Sequence, residues 1–106
     1  GVIVNIASVG GLRPYSRHLA YSVSKAGLIM LTRGLARDFA PEVRVNAIAP
    51  GMVDLGGEDA MPSPERVPLQ SWTSPEDLED ALLYLLDANQ VTGQILAVDG
   101  GWNLSP

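Results

Sequence analysis

Two hydrophobic rhythms alternate along this chain. Val2 to Ala7 is a short run rich in β-branched residues, the pattern of a parallel strand covered on both faces. It closes on the turn Ser8-Val9-Gly10-Gly11. From Ala20 to Ala40 apolar residues recur at Val23, Ala26, Ile29, Met30, Leu35, Ala36 and Phe39, near the 3.6-residue helical period, until Pro41 breaks it. This predicts one long amphipathic helix. Val43 to Ile48 reads as a second strand, closed by Ala49-Pro50-Gly51, and Gln94 to Val98 as a third, ended by Asp99-Gly100-Gly101. The last helix carries the strongest start signal: Ser74 as N-cap, Pro75 at the first helical position, and Asp77 placed for a capping box. It is expected to run to about Asp87 and to lay Leu78, Ala81, Leu82, Leu85 and Leu86 on a sheet. Between Gly51 and Thr73, Gly56, Gly57, Pro62, Pro64 and Pro68 interrupt any period, and such long loops are usually functional lids.

Strand, long helix, strand is the right-handed parallel crossover unit. The expected fold class is therefore α/β: three parallel strands, two main helices and a lid loop, the carboxyl-terminal half of a Rossmann-type doubly wound sheet. Length and composition bound this reading. With 106 residues, 46% of them hydrophobic, residues 1–106 hold at most one domain and are too apolar for disorder. The chain opens at Gly1 directly on a strand of buried type, so it reads as cut from a longer domain. A formal charge of -5 with no Lys/Arg cluster excludes a nucleic-acid partner. No apolar run approaches the roughly 20 residues needed to span a bilayer, so no membrane partner is expected. With no cysteine and one histidine there is neither a disulfide framework nor a metal cluster, and the composition fits a cytoplasmic protein.

The chemistry concentrates in three residues. Tyr21 and Lys25 stand four apart on the long helix and so project from one face. A phenol alone is a poor acid or base near neutrality, and a neighbouring ammonium favours its anion; Lys25 is the chain's only lysine. Ser8 falls at the carboxyl end of a parallel strand, where open α/β sheets bind ligands, and its hydroxyl could hold a carbonyl oxygen that Tyr21 protonates. Other polar residues read as structural: His18 as a surface residue, Asp54, Glu58 and Asp59 as a solvated loop rather than a cation site. Trp72 reads as a lid anchor, and Trp102 as a subunit contact.

Asn5-Ile6-Ala7-Ser8, Tyr21-Ser22-Val23-Ser24-Lys25, Arg44-Val45-Asn46-Ala47-Ile48-Ala49-Pro50-Gly51, and Val91-Thr92-Gly93-Gln94 to Val98-Asp99-Gly100-Gly101 follow in that order. In order and spacing they resemble the carboxyl-terminal half of the short-chain dehydrogenase/reductase family, over essentially the whole chain. The resemblance implies that Tyr21 is the general acid/base, that Ser8 orients the substrate carbonyl, and that Lys25 supports Tyr21, with Tyr21 and Lys25 both binding the cofactor, Lys25 at the nicotinamide ribose. Pro50, Gly51 and the backbone of Val53 would flank the nicotinamide. It further implies a small-molecule carbonyl substrate, a homodimer or homotetramer, and NADP(H) in preference to NAD(H). The Ala40-to-Asn46 and Val91-to-Gly101 segments look like pteridine and dihydromonapterin reductases, which adds a pteridine-type C=N bond to the candidate substrates. Three departures stand out. Leu55 replaces a threonine that often meets the cofactor, and Ser71-Trp72-Thr73 replaces a stretch often holding Arg and Gly. The chain's glycines nowhere form the Gly-rich turn that holds a pyrophosphate. With the amino-terminal nucleotide-binding half absent, the rival expectation is a non-catalytic remnant or association module.

Overall fold

The computed structural model describes residues 1–57 and 61–105. Three strands, β1 (Val2–Ile6), β2 (Arg44–Pro50) and β3 (Ile95–Val98), form one parallel sheet in the order β1-β2-β3. Helix α1 (Leu19–Phe39) connects the first two strands, and α2 (Pro75–Asp87) precedes the third. This is the expected α/β crossover architecture. Because side chains alternate across a strand, neighbouring residues of β2 serve opposite layers. Ala47 packs with Ala7 and Ile29 under α1, while Ile48 packs with Ala81 and Leu85 under α2. Strand β2 is thus buried from Val45 to Ala49.

The start of α2 forms as its sequence predicts. The Ser74 hydroxyl accepts from the Asp77 N–H, the Asp77 carboxylate accepts from the Ser74 N–H, and Pro75 occupies the first turn. At its other end, Arg44 of β2 donates to the carbonyls of Leu85, Leu86 and Val91 at 2.9 to 3.1 Å, satisfying helix-end acceptors that have no partner of their own. Asn46, fully buried, donates to Val91 O at 2.8 Å and accepts from the Gln94 N–H at 3.0 Å. The Arg44-Val45-Asn46 segment therefore welds β2 to the end of α2 and to the turn entering β3.

Two expectations are corrected. Helix α1 buries Ser22, Ile29, Thr32 and Ala36, whereas Val23 is 62% and Met30 63% exposed. The sheet-facing stripe is small and polar because Thr32 bonds both partners it needs. Its hydroxyl donates to Leu28 O at 2.8 Å and accepts from Asn5 Nδ2 at 3.1 Å. Strand β1, expected to be covered on both faces, leaves Val2, Ile3 and Ile6 exposed. It lies at the sheet edge, and its second edge is unpaired among the described residues.

The lid segment has one short 3-10 turn, Pro64–Arg66, and is held down by buried Val67 and by the Leu69 N–H bonded to Gly100 O. Trp72 anchors it, donating its indole N–H to Pro62 O at 2.7 Å. Asp54 accepts from the Gly56 N–H, as a loop residue does, while Glu58 and Asp59 lie outside the described residues. Among the described residues no helix is long and apolar enough to cross a membrane.

Candidate active site

Parallel strands deliver their carboxyl ends to one rim of the sheet, and the candidate residues gather there. Ser8 follows β1 and caps a 3-10 turn, Val9–Gly11. Its Oγ accepts from the Gly10 N–H at 3.0 Å, so its own O–H proton is free to be donated to a ligand. Gly11 lets this turn lie on α1, because a β-carbon there would come within 2.7 Å of the Lys25 carbonyl carbon. That close approach brings Ser8 beside the first turns of α1. Tyr21 lies there, 47% exposed. One turn later the Lys25 ammonium donates to Ile6 O at 3.3 Å and sits 5.8 Å from the Tyr21 ring centroid.

Ser8 and Tyr21 face a single pocket of about 520 Å³, whose other walls are Val9, Tyr15, His18, Gly51, Met52 and Trp102. Pro50 ends β2 and Gly51 follows, its N–H donating to Val98 O at 3.2 Å. Val53 forms an isolated parallel bridge with Thr73, made by Met52 O and the Asp54 N–H. Backbone groups alternate in direction along an extended strand, so the N–H and C=O of Val53 point the other way. They have no hydrogen-bond partner among the described residues. One donor and one acceptor left side by side are the complement of a primary carboxamide. Leu55 is 80% exposed and brings no hydroxyl to this rim.

The structure thus brings together Ser8, Tyr21, Lys25 and Gly51, and sets Pro50 and Val53 along the strand end beside them. Sequence reasoning missed several wall residues. His18 is exposed, as expected of a surface residue, and it also borders the pocket, as does Trp102. The Asp99 carboxylate accepts from the N–H groups of Gly101 and Asn103 at 2.9 and 2.8 Å, folding the chain back so that Trp102 reaches the site. The Trp72 ring packs against Trp102 with centroids 5.8 Å apart. The only signal for Tyr15 and His18 was their place in the segment that must return from Ser8 to Tyr21. Burial pushes the Tyr15 phenol above its ordinary range, an effect opposed by the adjacent Trp102 indole and Arg13.

A family model described as enoyl-(acyl carrier protein) reductase matches residues 1–103. Carbonyl reductase family member 4 of Danio rerio is 43% identical over 108 residues, covering 98% of this chain and 46% of that protein. The short-chain dehydrogenase/reductase homolog YusR of Bacillus subtilis (strain 168) is 36% identical over 109 residues, covering 98% of this chain and 84% of that protein. Among solved structures, 4-hydroxyisoleucine dehydrogenase complexed with NADH superposes with a TM-score of 0.86 at 34% identity, over 100% of this chain and 48% of that one. The chain therefore spans about half the length of that carbonyl reductase and of that dehydrogenase. On the family model, the shared sequence and the shared fold, it belongs to the short-chain dehydrogenase/reductase family.

Proposed function

We propose that the natural protein carrying this chain is an NAD(P)H-dependent reductase of a small molecule bearing a carbonyl or pteridine-type C=N bond. The observation that carries this reading is the convergence of Ser8 and Tyr21 on one pocket, with Lys25 one helical turn behind. The nicotinamide, when bound, supplies the hydride. Ser8, its oxygen already occupied by the Gly10 N–H, donates its proton to the substrate oxygen and orients it. Tyr21 passes a proton to that same atom as general acid. Lys25, fixed by Ile6 O, keeps positive charge beside the Tyr21 ring and retains two further donors for ribose hydroxyls. The free N–H and C=O of Val53 suit the nicotinamide carboxamide, with Pro50 and Gly51 alongside. NADP(H) is favoured over NAD(H) by the resemblance to biosynthetic reductases. The cysteine-free composition suits the cytoplasm. The exposed Val23, Met30 and Leu31 of α1 support a homodimer or homotetramer.

A second reading, a non-catalytic association module, draws on one observation: a relative exists of which this chain covers 84%. Titration of the natural protein with NADPH and NADH, alongside its intact mass, separates the two. Saturable cofactor binding and cofactor oxidation in the presence of a ketone support the reductase. Absence of both, with concentration-dependent self-association, supports the module and overturns the reductase.

A further inference from the structure

Trp102 is partly exposed and borders the pocket that holds Ser8 and Tyr21. Asp99 shapes the turn that carries it, but where that turn sits against the site is set from outside. Trp102 opens a three-residue 3-10 turn, Trp102–Leu104, a conformation with poor hydrogen-bond geometry, and Leu104 at its far end is 83% exposed. On one side the lid grips this turn. The Leu69 N–H donates to Gly100 O at 3.0 Å, the Ser105 hydroxyl donates to Arg66 O at 2.9 Å, and the Trp72 ring packs on Trp102. Gly101, at φ +89°, lies so close to the lid that an added β-carbon would come within 2.9 Å of Pro68 Cγ. On the other side stands Arg13. Its guanidinium Nη1 donates to Asn103 O at 3.1 Å and to Ser105 O, and hydrogen bonds from a charged donor are the stronger kind. The Arg13 N–H donates in turn to Val9 O at 3.3 Å, and Val9 follows Ser8 and lines the pocket. Arg13 itself is not among the pocket's described walls. One side chain thus ties the turn after Ser8 to the turn carrying Trp102, across 90 residues of chain.

We infer that Trp102 is a specificity-determining wall of this pocket and that Arg13 is the positioning residue that holds it there, so that the site favours a compact cyclic ketone over a bulkier one. The inference rests on the reductase reading above, in which Gly51, another wall of the pocket, flanks the nicotinamide. Substrate and nicotinamide ring then share about 520 Å³, toward the small end of ligand pockets. Trp102 supplies a large apolar surface for the substrate ring. A wall held less firmly costs the compact substrate its contacts and makes room for the bulkier one.

The test is a double-mutant cycle in the natural protein: wild type, Arg13→Met, Trp102→Ala and the two combined, with cyclohexanone and the fused bicyclic 2-decalone as substrates and NADPH and NADH as cofactors. Met keeps the apolar stem of Arg13 and removes its donors. The wild type prefers cyclohexanone in kcat/KM. Arg13→Met and Trp102→Ala each lower the cyclohexanone-to-decalone ratio by about tenfold, the scale of a small change in pocket size. In the Trp102→Ala background, Arg13→Met changes the ratio by less than about twofold, because the residue through which it acts is gone. Acrylamide quenching of Trp102 fluorescence, read as the difference between each protein and its Trp102→Ala counterpart, rises by about twofold or more in Arg13→Met. An unchanged ratio in Trp102→Ala overturns the inference whatever Arg13→Met does. So does an unchanged ratio or unchanged quenching in Arg13→Met, additive effects in the double variant, or a wild-type preference for 2-decalone, and each of these leaves the reductase standing. Cofactor binding without reduction of either ketone likewise overturns the inference alone. Reduction of neither ketone with no cofactor binding overturns the reductase reading and the inference with it.

Discussion

Replacing Asn46 by Leu separates the weld that holds the fold from the chemistry that it positions. Asn46 is fully buried and makes two hydrogen bonds, to Val91 O at 2.8 Å and from the Gln94 N–H at 3.0 Å. Leu makes neither. At about 1 kcal/mol each, the lost bonds cost about 2 kcal/mol, and the stranded Gln94 N–H adds about 1 kcal/mol or more. The Val91 carbonyl is spared the same fate because Arg44 also donates to it, at 3.1 Å. The additional apolar burial of Leu offsets about 1 kcal/mol, leaving a net loss of about 2 kcal/mol. In urea unfolding of the natural protein, at a slope of about 2 kcal/mol/M, the midpoint falls by about 1 M with the slope unchanged. Turnover well below the transition stays within about twofold of wild type, since Asn46 does not line the pocket. An unshifted midpoint, or turnover lost without a shift, would refute the reasoning and place Asn46 in the catalytic machinery.

Gly10→Ala puts a methyl between Tyr21, Ser8 and Tyr15 at 3.1 to 3.4 Å. It is expected to lower kcat/KM by about tenfold or more through misplacement of the reacting groups, with stability within about 1 kcal/mol of wild type; steady-state kinetics and thermal melts check both. Lys25→Met removes the ammonium bonded to Ile6 O and is expected to weaken cofactor binding in fluorescence titration by about tenfold or more, the scale of charged hydrogen bonds. The Ser74 N–H, and after it the Ser74 hydroxyl, hold the Asp77 carboxyl below its ordinary value. Its contribution to stability is therefore present above about pH 4 and lost as pH falls through the depressed value. Thermal melts of wild type and Asp77→Asn should differ most near neutrality and converge in acid.

The parts of the fold legible in the sequence are those where local chemistry decides. The capping box Ser74–Asp77 and Pro75 mark a helix start that needs no tertiary contact to be recognised, and α2 begins there. The strand–helix–strand order and the Tyr21, Lys25 and Ser8 constellation were readable because helical spacing and strand ends set them. Helix α1 was legible as a helix but not in its orientation. Apolarity alone pointed to Val23 and Met30 as core, whereas Ser22 and Thr32 face the sheet, and only the contact with Asn5 reveals why. Trp102, Tyr15 and His18 could not be placed, since their arrival at the pocket depends on Asp99 reversing the chain and Arg13 clamping two segments about 90 residues apart. Arg44 and Asn46 were readable as a motif, and the structure supplies their reason, the capping of α2 and of the turn into β3.

The central claim is that the Tyr21 hydroxyl delivers the proton while most of the hold on the cofactor comes from Lys25, Pro50, Gly51 and Val53. The most direct measurement compares Tyr21→Phe with wild type in the natural protein, taking kcat for ketone reduction and the cofactor dissociation constant from the same preparation. The account predicts turnover lower by at least about a hundredfold, the scale of losing a general acid, with cofactor affinity within about twofold. Turnover equal to wild type in a variant that binds cofactor normally would contradict it.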